Sequence, residues 1–163
     1  MTSKDFIELL ANFSRRPIPA ATKSARHLYV WQNEIEPLRA HVPQAQLHLL
    51  DLHALCKTLD TTPSSPTLAR QKLERAMADW LGREFPQDGT QAVLAVTGCD
   101  VLARYDVSLG VFSQRANESK LIVFVAPSQD THYQPRSIPP FIQIQPHTTF
   151  LYFKSFEDAI VGG

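Results

Sequence analysis

Two short segments of this chain carry residues that could do chemistry, and each follows an apolar run of strand length. Cys99 and Asp100 come shortly after Ala92–Val96, and Asp51 directly follows Gln46–Leu50. Ligands of open parallel sheets bind beyond the carboxyl ends of the strands, which makes these side chains candidates for a site. The Asp100 carboxylate could hold magnesium, although magnesium is usually bound together with substrate phosphates. The alternative is that Asp100 caps a helix or shapes the loop after the strand.

Cys99 could act as a nucleophile if a base lay beside it, because the reactive form of cysteine is the thiolate. His53 and His132 are the histidines that would have to reach it. The alternative is a packed, apolar thiol, which is typical of a cysteine directly after a buried strand. Cys56 and Cys99 lie far apart in apolar contexts, which favours two reduced thiols over a disulfide.

Other signatures of catalysis are missing from the sequence. The six histidines lack the regular ligand spacing of a zinc site, and there is no Gly-x-Ser-x-Gly elbow or dinucleotide fingerprint. We therefore predict a protein without metal or cofactor, and favour a non-enzymatic function over a small nucleotide-binding or hydrolytic enzyme that uses the carboxyl edge of the sheet. Further candidates for a ligand or partner edge are Glu34, Glu36, Asp130, His132 and Tyr133.

The segment after the first predicted strand is where a phosphate-binding loop would be expected. Such a Walker A loop needs glycines that let backbone amides surround a phosphate, followed by a lysine and a Ser or Thr. The strand Leu28–Trp31 instead runs into Gln32–Glu36, which has no glycine and no lysine; the first glycine of the chain is Gly82. Its two carboxylates, Glu34 and Glu36, would repel a triphosphate.

The hydrophobic pattern predicts helices and strands in alternation. An amphipathic helix is expected over about residues 3–14, with Phe6, Leu9, Leu10 and Phe13 on its apolar face. Further helices are predicted from an Asn33/Glu36 capping box to about His41, from an Asp51 cap to Leu59, from Ser65-Pro66 to near Phe85, and over Asp106–Ala116. Strands are predicted at Leu28–Trp31, Gln46–Leu50, Ala92–Val96, Leu121–Ala126, Phe141–Gln145 and Phe150–Phe153.

Continuous apolar strands separated by helices are typical of a parallel sheet that is covered on both faces. The predicted fold is α/β, with a three-layer, mostly parallel sheet that resembles a degenerate P-loop NTPase fold without Walker A. The 163 residues are expected to form one domain, residues 1–163.

The balance of charge gives no indication of a nucleic-acid or membrane partner. Lys plus Arg and Asp plus Glu number 16 each, so the net charge is zero. The local alternative is a basic patch of Arg15, Arg16, Lys23 and Arg26 in a proline-interrupted loop, which is more typical of a solvated connection. Acidic residues interrupt the apolar residues of the first segment, so neither a signal peptide nor a membrane anchor is expected, and a cytoplasmic location is predicted.

Three short motifs follow one another between His27 and Asp130. Thr97-Gly98 ends a predicted strand, Leu102 and Arg104 follow, and Ala126-Pro127 ends the next strand. In this order they resemble the BrxB-type accessory proteins of bacterial BREX phage-defence systems, in which that last strand ends in Pro-Gly; Ser128 replaces the glycine here. BrxF-type proteins are also similar but carry a phosphate-binding loop, so the resemblance favours the BrxB type or a degenerate relative.

The resemblance implies a non-catalytic adaptor or accessory subunit of an antiviral defence complex, acting by protein–protein interaction with other defence-system proteins. A PglZ-type protein is the suspected partner, and the oligomeric state stays open. The expected contact surfaces are the proline-rich loop Pro127–Pro140 and the N-terminal amphipathic helix, because loops and exposed apolar faces carry recognition.

Overall fold

A parallel sheet forms the centre of the protein. The computed structural model describes residues 3–13, 15, 27–59, 65–127, 152–153 and, for the backbone alone, 160–161. The strands are β1 (Leu28–Trp31), β2 (Leu47–Asp51), β3 (Ala92–Thr97), β4 (Lys120–Val125) and β5 (Ile160–Val161). Their order in the sheet is β2-β3-β4-β1-β5, and every neighbouring pair is parallel. The predicted α/β class with a mostly parallel sheet is confirmed.

Helices cover both faces of this sheet. They are α1 (Ser3–Phe13), α2 (Glu36–His41), α3 (Leu52–Lys57), α4 (Pro66–Glu84), α5 (Asp100–Arg104) and α6 (Gly110–Ser113). Buried residues of α3 to α6 pack against one face, and those of α1 and α2 pack against the other. The three-layer arrangement predicted from the continuous apolar strands is therefore present.

The side chains of β1 alternate between these two cores, as a strand with period two requires. Leu28 and Val30 belong to the core under α3 to α6, whereas Tyr29 and Trp31 belong to the core under α1 and α2. β1 is an inner strand, because it pairs with both β4 and β5. The predicted division of its side chains between two covered faces is confirmed.

Capping side chains determine where two of the helices begin. The Asp51 carboxylate accepts hydrogen bonds from the backbone N–H groups of His53 at 3.0 Å and Ala54 at 3.3 Å, which starts α3. The Ser65 hydroxyl accepts one from Leu68 N–H at 3.2 Å and starts α4, whose first residue is Pro66. Both caps were predicted from the sequence, because each satisfies amide donors that a helix start leaves unpaired.

The predicted capping box of α2 is wrong. Ile35 occupies the N-cap of that helix and makes no side-chain capping bond. The Asn33 amide instead donates to the Ser3 hydroxyl oxygen of α1 at 3.1 Å. The Asn33 side chain, which the local sequence pattern predicts as a cap, thus makes a tertiary contact with α1 instead.

The single helix predicted over Asp106–Ala116 is also wrong. The chain enters α5 at Asp100, soon after β3, and a second short helix, α6, follows from Gly110. Asp106 has a φ of 50°, a left-handed conformation that cannot continue a right-handed helix. Leu109 and Phe112 are nevertheless buried, as their apolar spacing predicted.

The C-terminal region differs from its prediction as well. Tyr152 and Phe153 have helical backbone rather than the strand predicted at Phe150–Phe153, and the strand β5 comes later. The Phe153 ring is buried 5.4 Å from that of Phe124, so this segment closes the core under α3 to α6. The predicted strand Phe141–Gln145 and the predicted loop after Pro127 lie outside the described residues.

Candidate functional site

The carboxyl ends of β2 and β3 lie side by side and carry the candidate site. Their register pairs Asp51, the last residue of β2, with Thr97, the last residue of β3. Each strand leads within a few residues into a short helix, α3 after β2 and α5 after β3. Side chains from the first turns of these two helices can therefore meet above the ends of the strands.

His53 and Asp100 are the side chains that meet there. The distance between His53 Nε2 and Asp100 Oδ1 is 2.6 Å, a short hydrogen bond between residues 47 positions apart in the chain. The Asp100 side chain is 0% exposed, whereas the His53 side chain is 23% exposed. The pair thus joins a fully buried carboxyl group to an imidazole that reaches solvent.

Gly98 makes room for this pair. Its φ of 72° is a left-handed conformation that side-chain-bearing residues rarely adopt. A Cβ atom at this position would lie 2.8 Å from His53 Cδ2, closer than van der Waals contact permits. The His53 ring therefore packs directly over the Thr97-Gly98 turn. This close packing explains why a glycine follows Thr97.

The second oxygen of Asp100 is unusual. Oδ2 is buried and accepts no hydrogen bond within the described part of the chain. Leaving a buried polar atom unpaired costs about 1–3 kcal/mol, so such atoms are often found in strained or functional places. Among the described residues, His53 therefore provides the side-chain hydrogen bond that holds this carboxyl group.

A carboxylate that orients a histidine can support acid–base catalysis, as in hydrolytic triads, but a triad also needs a nucleophile. Neither cysteine is placed for that role. Cys99 is fully buried and its thiol donates to the Val96 carbonyl oxygen at 3.3 Å, while His53 Nε2 is engaged with Asp100. The geometry favours the packed-thiol interpretation of Cys99.

Cys56 lies beside the same pair and is a neutral thiol at physiological pH. Burial raises the pKa of Cys56 to about 11, and the charges of Asp100 and Asp51 add to this while Arg104 opposes them. Burial likewise raises the pKa of Tyr105 to about 12. Within the described ranges, no three His, Cys, Asp or Glu side chains are grouped as a metal site would require.

The turn after β1 is filled by contacts of the chain with itself. Trp31 Nε1 donates to the Glu34 carbonyl oxygen at 2.8 Å, and the Asn33 amide reaches Ser3 of α1. The end of the neighbouring strand β4 also contacts this turn, because Ala126 N–H donates to the Trp31 carbonyl oxygen at 2.8 Å. Glu34 and Glu36 are exposed at the start of α2.

The structure brings together only part of the predicted site. Asp51, Cys99 and Asp100 share the carboxyl edge of β2 and β3, whereas Glu34 and Glu36 follow β1 in the other helical layer. The predicted capping role of Asp100 is wrong, because Cys99 occupies the N-cap of α5 and makes no capping bond. Asp130, His132 and Tyr133 lie outside the described residues.

His53 is the residue that sequence reasoning missed as a partner of Asp100. Asp51 and His53 stand at the start of α3 much as Cys99 and Asp100 stand at the start of α5. Placing β2 beside β3 would have brought these two helix starts together. The signal was therefore the adjacency of two strand ends rather than any spacing along the chain.

Comparison with models of known protein families, with characterised proteins and with solved structures gives no match. In the part of the chain that the structure describes, every helix is too short or too polar to cross a lipid bilayer.

Proposed function

We propose that this protein is a non-catalytic adaptor of a cytoplasmic anti-phage defence complex, which binds a protein partner through the carboxyl edge of its sheet. The observation that carries the proposal is the turn after β1. This turn stands where a phosphate loop would bind a nucleotide, yet Trp31, Asn33 and Ser3 hold it closed by hydrogen bonds. The turn therefore offers a contact surface for a partner protein rather than a binding site for an anion.

The charge of this edge supports a protein partner with a basic surface. Glu34, Glu36 and Asp51 are all exposed at the carboxyl ends of β1 and β2. The Glu34 and Glu36 carboxylates at the end of β1 repel phosphate groups and attract lysines and arginines of a partner. Asp51 adds a carboxylate at the end of β2, with β3 and β4 between the two positions. The net charge of zero means that this attraction is local to the edge.

The resemblance to BrxB-type proteins supports the choice of complex, with a PglZ-type protein as the partner to test first. The N-terminal helix is not the exposed apolar surface that was expected, because Phe6, Leu10 and Phe13 of α1 are buried in the core. The acidic edge therefore replaces α1 as the proposed contact. Of the predicted basic patch, Arg15 alone lies among the described residues.

The partner contact is tested by changing Glu34 and Glu36 together to Gln. We expect capture of the partner to weaken about tenfold or more, which corresponds to about 1.4 kcal/mol of binding free energy. Folding should barely change, because an exposed carboxylate at a helix start adds only about 0.3–1 kcal/mol. The measurement is co-purification with the products of neighbouring genes, followed by titration of the purified pair.

The matched control changes Glu8 and Glu84 to Gln, since both are exposed and lie away from the acidic edge. This variant removes the same charge and should bind like the wild type. Equal weakening by both double variants would show that only overall charge matters. The adaptor proposal fails if the wild-type protein captures no product of a neighbouring gene.

The second candidate function is a small hydrolytic enzyme at the same edge, and the His53–Asp100 pair is the observation that favours it. Such an enzyme would use His53 as the base, oriented by Asp100, to activate water toward a bound ester or phosphate ester. Stabilisation of the protein by a nucleotide would favour this candidate over the adaptor.

A further inference from the structure

We propose that β2 pairs edge to edge with β2 of a second copy of this chain, which joins the two sheets into one across a twofold axis. The inference goes beyond the adaptor role and does not depend on it. It rests on the outer edge of the sheet, on the exposure of Leu49, and on the way in which β2 fits its own copy.

β2 ends the sheet, and within the described residues one row of its backbone groups has no strand partner. It pairs with β3 on one side, and no other strand of the described residues pairs with it. Exposed edges are usually protected by proline, lysine, a bulge or a covering segment, because they are templates for another strand. The sequence of β2, Leu47-His-Leu-Leu-Asp51, contains no proline and no lysine.

Leu49, the middle residue of β2, is exposed on this edge. Its side chain is 40% exposed, whereas its neighbour Leu50 is buried in the core under α3 to α6. Leu47 packs against the opposite core, and Leu49 lies on the same side of the strand, where it remains partly uncovered. Within the described ranges, Leu68 on α4 is the other large apolar residue that is this exposed, at 44%.

An antiparallel pair of β2 strands is centred on Leu49 when all five residues overlap. Leu49 then faces Leu49 of the second copy, and His48 faces Leu50. A slip by one residue would bring opposite faces of the strands together, and a slip by two would leave residues unpaired. The register with the longest overlap is therefore also the one that covers the exposed leucine in both copies.

Charge does not oppose this pairing. Asp51 is the one carboxylate in β2 and faces Leu47 of the second copy rather than another acid. The two Asp51 residues lie at opposite ends of the paired strands, about 13 Å apart along them, which exceeds the screening length of about 8 Å at physiological salt. Neither copy carries a net charge that would repel the other.

A second copy fits this edge better than an unrelated peptide. A twofold contact buries the same leucine from both chains and closes on itself, so it leaves neither β2 edge open for further growth. A peptide would cover one Leu49 and leave the sheet with a new outer edge. The symmetric pair covers the exposed β2 edge of both copies in a single contact.

The oligomeric state tests the proposal directly. By light scattering after size exclusion, we expect the wild type at tens of micromolar to have the mass of two 18.3 kDa chains. Leu49→Lys should be monomeric, because two ammonium groups would face each other on the axis. Leu68→Lys, which places the same charge on the other exposed leucine, should remain a dimer.

A second variant tests the geometry independently of stability. Leu49→Cys places two thiols opposite each other, at the separation of about 4.5–5.5 Å between Cβ atoms that cross-strand pairs have. We expect rapid oxidation to a covalent dimer, while Leu68→Cys stays a monomer on denaturing gels. The native cysteines, Cys56 and Cys99, are buried and should not interfere.

A monomeric wild type, together with Leu49→Cys that cross-links no faster than Leu68→Cys, would overturn the dimer. The proposal would also be overturned if the wild type is a monomer and Leu49→Lys abolishes capture of the adaptor's protein partner. That result would show that a strand of the partner pairs with β2. The adaptor proposal is judged separately, because the Glu34 and Glu36 changes leave β2 intact.

Discussion

Replacing Trp31 with alanine is expected to lower the free energy of unfolding by about 3–5 kcal/mol. The Trp31 side chain is 2% exposed, and its ring centroid lies 5.5 Å from that of Phe6 in α1. The change opens a large cavity between the inner strand β1 and the helix that covers it. It also removes the hydrogen bond from Nε1 to the Glu34 carbonyl oxygen, which adds about 0.5–1.5 kcal/mol.

Urea unfolding followed by far-UV circular dichroism measures this loss. Trp31→Phe keeps most of the ring packing and should retain most of the stability. Trp80→Ala is a matched control, because the Trp80 ring is only half-buried at the margin of the other core, and its loss should be smaller. If Trp31→Ala unfolds within about 1 kcal/mol of the wild type, β1 is not the packed inner strand described here.

Replacing His53 with alanine is expected to cost about 3–5 kcal/mol, because it leaves a buried carboxylate without its partner. Asp100 is fully buried and its Oδ2 already lacks a hydrogen bond to any described residue. Asp100→Asn should cost less, since an amide oxygen can still accept a bond from His53 and no charge remains buried. The two substitutions should therefore lower the stability by unequal amounts, although both alter the contact between His53 and Asp100.

A double-mutant cycle measures the interaction free energy between His53 and Asp100. His53→Ala combined with Asp100→Asn should be more stable than His53→Ala alone, because the unpaired buried charge is gone. His41→Ala is the control for loss of an imidazole, since His41 is exposed on α2 and should change stability by less than about 0.5 kcal/mol. Additive costs in the cycle would show that His53 does not stabilise the buried carboxyl group.

Much of the fold could be predicted because its signals are local. Ala92–Val96 and Leu121–Ala126 are apolar on both faces, which indicates strands that are buried between helical layers. The caps at Asp51 and Ser65 likewise depend on neighbouring residues. The break at Asp106, which separates α5 from the short helix α6, was missed, because nothing in the spacing of Leu109 and Phe112 indicates a left-handed residue before them.

The site was harder to predict because it depends on strand order. His53 and Asp100 meet only because β2 and β3 are neighbours and Gly98 leaves space for the imidazole ring. Neither condition appears in the local pattern, which indicated a cap or a loop-shaping residue at Asp100, or a magnesium ligand. The acidic turn after β1 could be predicted, because the missing glycines and lysine of Gln32–Glu36 are visible in the sequence.

The central claim is that the edge at the end of β1 binds protein rather than nucleotide, and thermal unfolding with magnesium and ATP or GTP tests it most directly. A nucleotide at a hundred times its dissociation constant would add about 2.7 kcal/mol of stability. For a chain of this length, that gain raises the Tm by about 5–10 °C. The account predicts no shift at millimolar nucleotide, and a rise of several degrees would contradict it.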